Sequence, residues 1–175
     1  MMPVSTSRRG TATSEHAERL VATLGACATD VFETMVGRPL TQVHPARGDA
    51  PRPSGNIVGT IGFTGSSAGL VAFYTTYEAA REITSGLLGF GEPGTATRDE
   101  VVDAIGEVTN MIAGSFRTRL ASHGDPWAIA TPTVTLGSDF CITPVRSVQR
   151  TVLPFRMDRY EVSVELILTR RVTPP

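Results

Sequence analysis

In the segment DEVVDAIGEVTNMIAGSFRTRL, residues 99–120, acids, an amide and a glycine recur at helical spacing as Asp103, Glu107, Asn110 and Gly114. At about 100° per residue these four line one side of a helix. Val101, Ile105, Val108, Ile112 and Phe116 form a narrow apolar stripe on the opposite side. The outer face therefore presents a carboxylate and a carboxamide at i, i+3, with Gly106 and Gly114 beside them. A glycine inside a helix costs roughly 1 kcal/mol against alanine. Two of them fit a surface kept low for the close approach of another molecule. Asparagine is also a poor helix former, and Asn110 stands mid-helix, away from either cap. Solvated helix faces ordinarily carry Asp, Glu and Asn, so the spacing by itself names no reaction.

Residue types exclude several other chemistries. All 16 residues counted as Lys+Arg are arginine. Without a lysine there is no Schiff-base enzyme, no phosphate-loop lysine and no kinase-type ATP lysine. Cys27 and Cys141 form neither a CxxC pair nor a ligand set with His16, His44 and His123. No metal site is visible, and both cysteines read as buried free thiols in a reducing cytoplasm. The formal net charge is −1, and no basic cluster exceeds Arg8-Arg9 or Arg170-Arg171. That is not the footprint of a nucleic-acid or membrane-surface binder. The start MMPVSTSRRGTATS lacks an apolar stretch after its arginines, and no segment reaches the ~18 apolar residues of a membrane span. A cytoplasmic protein, neither exported nor inserted, is expected.

The elements that must position the 99–120 helix follow from length and period. With 175 residues, 41% hydrophobic and 19% charged, the chain has the composition of one globular domain. We expect a disordered N-terminal tail at 1–13 and a single domain at 14–172. Leu20, Leu24, Cys27, Val31 and Met35 trace one side of a first helix, which Gly37 and Pro39 end. The proline-rich stretch 44–55 is a loop. Residues 56–64 and 69–76 read as a hairpin about Gly65-Ser66-Ser67-Ala68. A second helix spans 77–88, with Thr75 and Glu78 as a capping box and Gly89 as its stop. A second capping box, Thr97 with Glu100, opens the third helix, which reaches about Ser122. Short strands follow at 131–136, 148–157 and 160–169, with Cys141 in a further strand and Trp127 as a packing anchor. In the last strand Val162, Val164, Leu166 and Leu168 face the core. Glu161, Ser163, Glu165 and Thr169 face the wetter side. The order predicts an α+β fold, an antiparallel-rich β-sheet covered by about three α-helices.

The string D-x3-E-x2-N-x3-G, met by Asp103, Glu107, Asn110 and Gly114, resembles the active-site helix of the CheC/CheX/FliY phosphatases of bacterial chemotaxis. DVFETMVG at the end of the first helix, TPTVTLG at 131–137 and VLPF at 152–155 are similar to further CheX segments. The resemblance runs from about residue 15 to 170. Two-site members carry another E-x2-N on the first helix, whereas Glu33 here is followed three residues later by Val36. This implies a CheX-like, one-site chain and a homodimer. The tail before Ser14 and the 44–55 loop are longer than the family pattern.

The resemblance also implies a substrate and roles. The substrate would be the phosphoaspartate of a CheY-type response regulator, which itself supplies Mg²⁺, so this chain binds no cofactor. Asn110 would orient the attacking water, and Glu107 would pair with the regulator's active-site lysine. Asp103, Gly106 and Gly114 would contact the partner. The other reading of the same face is a non-catalytic adaptor that binds receiver domains in chemotaxis or another two-component pathway.

Overall fold

A computed structural model of the chain describes residues 8–43, 53, 55–89, 96–138, 142 and 148–169, with side chains from Glu15 onward. The expected strand around Cys141 and nearly all of the 44–55 loop lie outside the described residues.

Helix α1 (Arg8–Val31), which starts within the 1–13 stretch expected as a tail, continues into a single π-helical turn at Phe32–Val36, and Gly37 closes it in the left-handed conformation at φ 67°. A short strand β1 (Thr41–Gln42) precedes the hairpin of β2 (Ile57–Thr64) and β3 (Ala68–Thr75). Helices α2 (Tyr77–Leu88) and α3 (Arg98–Ser122) follow. The chain then forms β4 (Ala128–Ile129), β5 (Thr133–Leu136), β6 (Val148–Met157) and β7 (Tyr160–Thr169). The sheet is antiparallel throughout, in the order β1-β6-β7-β3-β2, with β4 and β5 both on the far edge of β2. This is the predicted α+β architecture with its three α-helices.

The helices cover one face of the sheet. Their apolar stripes meet Ile57, Ile61, Phe63, Val71, Phe73, Phe155, Val164 and Leu166 in one continuous core. Fully burying such side chains is worth roughly 1.5–3 kcal/mol each. Trp127 is an anchor as expected, stacked on Phe63 with centroids 4.4 Å apart and edge-on to Phe116 at 5.5 Å. A methyl group at Gly65 would overlap its indole ring, which explains a glycine in the β2–β3 turn.

Three sequence expectations need correction. Met35 is 52% exposed, while Phe32 and Val36 are buried instead. The wider π turn advances the register, so the three-four period of α1 does not carry through it. The N-cap of α2 is Thr76, whose hydroxyl accepts from the Ala79 amide; Thr75 lies one residue too early and is buried at the end of β3. Glu165 is fully buried rather than on a wet face. It accepts from the Tyr74 hydroxyl at 2.9 Å and from Arg150 Nε at 2.6 Å. Around it Val58, Ala72 and Tyr74, with Leu70 and Ile142, form a second small apolar cluster behind the sheet. A strand with an acid on its outer side looks half-wet by alternation alone. On β7, flanked by β6 and β3, the side chains of Tyr74 and Arg150 occupy that side instead of water.

Candidate functional site

Helix α3 owes its start to the residues that cap it. The Thr97 hydroxyl accepts from the Glu100 amide at 3.3 Å, and the Glu100 carboxylate accepts from the Thr97 amide at 2.7 Å and its hydroxyl at 2.8 Å. This is the predicted capping box. Those bonds stabilise the carboxylate and hold the Glu100 pKa below its ordinary value. Asp99 and Glu100 place negative charge in the first turn, and Arg119 places positive charge in the last, as the helix dipole favours.

The inner side of α3 then fixes the helix on the sheet. Val101, Ile105, Val108, Ile112 and Phe116 are all buried, joined by Ala104, Thr109, Ala113 and Leu120. Thr109 is buried although it lies outside the apolar stripe that the sequence predicts. Its hydroxyl satisfies itself by donating to the Ile105 carbonyl at 2.7 Å, and its side chain rests on Gly59 of β2, where a methyl group would overlap it. A tie to α1 comes from the ion pair of Arg119 with Asp30. Beside it Cys27 is a buried free thiol. Burial pushes its pKa up, against the opposing hydrogen bond from Ser115, which describes an inert core group.

The outer side carries the candidate residues in one row. Asp103 and Glu107 are exposed, and Gly106, Asn110 and Gly114 are half-buried. The structure therefore brings all five onto the accessible side of one helix. Among the described residues, Asp103, Glu107 and Asn110 have no side-chain hydrogen bond or ion pair. A methyl at Gly106 would meet only Val134 Cγ2 at 3.5 Å, and one at Gly114 would meet nothing within 4 Å. The chain's own packing therefore requires glycine at neither position. Arg117, seven residues after Asn110, continues the row and is exposed. The family pattern stops at Gly114, although the i+7 spacing is enough to place Arg117 on this face.

The row runs along the outer surface of α3. A recess of about 660 Å³ lies along α1 against β1 and β6, lined among others by Val21, Gly25, Gln149 and Leu153. A smaller one of about 240 Å³ lies among Arg38, Glu82, Asp158, Arg159 and Tyr160. Neither includes any residue of the 103–117 row. No group of three or more His, Cys, Asp or Glu able to hold a metal occurs among the described residues. No helix among them is long and apolar enough to cross a membrane.

A family model described as chemotaxis phosphatase CheX matches residues 57–156, a stretch that contains the whole of α3. The CheY-P phosphatase CheX of Thermotoga maritima is 31% identical over 111 residues, covering 63% of this chain and 67% of that protein. The crystal structure of a chemotaxis protein CheX from Desulfovibrio desulfuricans matches with a TM-score of 0.73 at 27% identity, over 86% of this chain and 99% of that one. In fold, the chain also matches the CheX–CheY–BeF3–Mg²⁺ complex from Borrelia burgdorferi, at a TM-score of 0.69 and 21% identity, over 86% and 98% of the two chains.

Proposed function

Because the chain belongs to the CheX family of chemotaxis phosphatases, we propose that it hydrolyses the phosphoaspartate of a CheY-type response regulator through the outer face of α3. The observation that carries this reading is the pairing of Glu107 with Asn110, outward and without internal partners, on the outer surface of a helix. An outward helix face with polar groups suits a substrate that brings its own cleft. A small molecule would need a concave site on this chain. A receiver domain brings such a cleft, together with the acyl phosphate and the Mg²⁺ that neutralises its charge.

The contribution asked of this chain is positioning. A water must sit in line with phosphorus, opposite the aspartyl oxygen. The Asn110 carbonyl oxygen accepts a hydrogen bond from that water without placing a full negative charge beside the phosphoryl group. As the water oxygen bonds to phosphorus, the bond to the aspartyl oxygen breaks. The regulator's carboxylate and inorganic phosphate leave, and the water's protons pass to the phosphate and solvent. Glu107 pairs with the regulator's active-site lysine, a charge-assisted contact that fixes the angle at which α3 enters. Asp103 extends the docking surface by one turn, and Gly106 and Gly114 let the partner's backbone approach. A water-orienting group worth ~10²-fold in rate corresponds to about 2.7 kcal/mol of barrier.

The same reading carries a homodimer with one such face per subunit, which light scattering on the purified protein measures directly. For the activity, the test is the decay of a phosphorylated CheY-type regulator with Mg²⁺, with and without this protein. Acceleration supports the reading. Binding of a BeF3-activated regulator with no acceleration of decay replaces it with the adaptor.

A further inference from the structure

The 103–117 row is ordered by charge as well as by position. Asp103 and Glu107 are exposed acids, Asn110 and Gly114 are neutral, and Arg117 is an exposed base. Seven residues turn the helix by 700°, so Arg117 falls within about 20° of Asn110 and about 10.5 Å further along the axis. Several of the described charges elsewhere are tied up within the molecule. Arg119 pairs with Asp30, Arg38 with Glu82 and Asp158, Arg150 with Glu165, and Glu100 caps its own helix. Asp103, Glu107 and Arg117 have no such partner among the described residues. Their charges are presented outward, acid toward the start of α3 and base toward its end.

Resting on the phosphatase reading above, we infer that Arg117 sets the direction in which the regulator seats along α3, by receiving an acidic side chain on the regulator's surface. With a cation of the regulator at Glu107 and an anion at Arg117, one orientation matches both ends. The reversed orientation sets acid against acid and base against base, which discriminates strongly. Arg117 stands about 10.5 Å along the axis from Asn110, roughly one Debye length at 0.1 M salt. Arg117 therefore acts on encounter and seating, while the chemistry stays with Asn110. It is a specificity-determining residue, with its effect in KM rather than kcat.

The experiment compares wild type, Arg117→Glu and Arg98→Glu in the dephosphorylation of a CheY-type regulator, measuring kcat and KM at several salt concentrations. Arg98 is exposed on the first turn of the same helix and off the row, so its reversal makes an equal change of net charge. The expected result is a fall in kcat/KM of about tenfold for Arg117→Glu, with kcat within about twofold and a weaker salt dependence. Arg98→Glu should stay near wild type. Equal losses in the two variants would mean a general charge effect and would overturn the inference, as would an unchanged kcat/KM in Arg117→Glu. Wild type that accelerates nothing would instead remove the phosphatase reading itself, so the two failures are distinct.

Discussion

Thr109 of α3 stands directly on Gly59 of β2, so closely that no side chain fits at Gly59. Thr109 immediately precedes Asn110, and Gly59 lies mid-strand with Thr133–Leu136 paired to its own strand on the outer edge. The strand glycine thus sets the height of the helix above the sheet at the level of the candidate pair.

Gly59→Ala should therefore act twice. Overpacking of this kind costs about 1–3 kcal/mol, to be read from urea unfolding, and it should lift α3 at residues 105–109 and lower turnover. Adding Thr109→Ala removes the hydroxyl in the way and should recover part of both losses. Non-recovery in the double variant would mean that the threonine is not the obstacle.

Gly114 offers the opposite sign. Nothing lies within 4 Å of a methyl built there, so Gly114→Ala should stabilise α3 by up to about 1 kcal/mol through helix propensity. If the bare surface exists for a partner, the same variant should bind a BeF3-activated regulator more weakly. A gain in thermal midpoint with unchanged regulator affinity would remove Gly114 from the contact surface.

The cap of α3 gives a pH dependence with a defined sign. Glu100 has its pKa held below the ordinary value of 4.5 by the Thr97 amide and hydroxyl. A carboxyl with a depressed folded pKa binds fewer protons folded than unfolded. Its contribution is fully present above the unfolded value and is lost as pH falls through the folded one. Wild type should exceed Glu100→Gln in thermal midpoint near neutral pH, and the gap should close as the pH drops below the ordinary value. A gap independent of pH would mean that the carboxylate charge is not what the cap uses.

Legibility in the sequence followed the strength of the local signal. Capped, periodic segments such as 98–122 and the turn-bounded hairpins at 57–75 and 148–169 emerged with nearly their observed limits. The two-residue strands β1 and β4 are too short to show any period. Met35 and Glu165 misled for different reasons. A π turn has no compositional signature, and an acid in a strand looks solvent-facing until its cross-sheet partners Tyr74 and Arg150 are known. For the site, the i, i+3 and i+4 spacings suffice to put Asp103, Glu107, Asn110 and Gly114 on one face. The support beneath them, Gly59 under Thr109, joins residues far apart in the chain and has no local trace.

Asn110 and Glu107 should separate chemistry from docking. Asn110 lies opposite the buried stripe and makes no side-chain bond among the described residues, so Asn110→Ala should leave thermal stability within about 0.5 kcal/mol of wild type. If it orients the water, kcat should fall on the order of 10²-fold while binding of a BeF3-activated regulator persists, the pattern of an interaction made only in the transition state. Asn110→Asp should fare no better, since it sets a charge beside the phosphoryl group. Glu107→Gln keeps the shape and loses the ion pair, so its loss should appear in regulator affinity as well as in rate. A folded Asn110→Ala that dephosphorylates the regulator at the wild-type rate would move the reaction off this residue and leave α3 as a binding face.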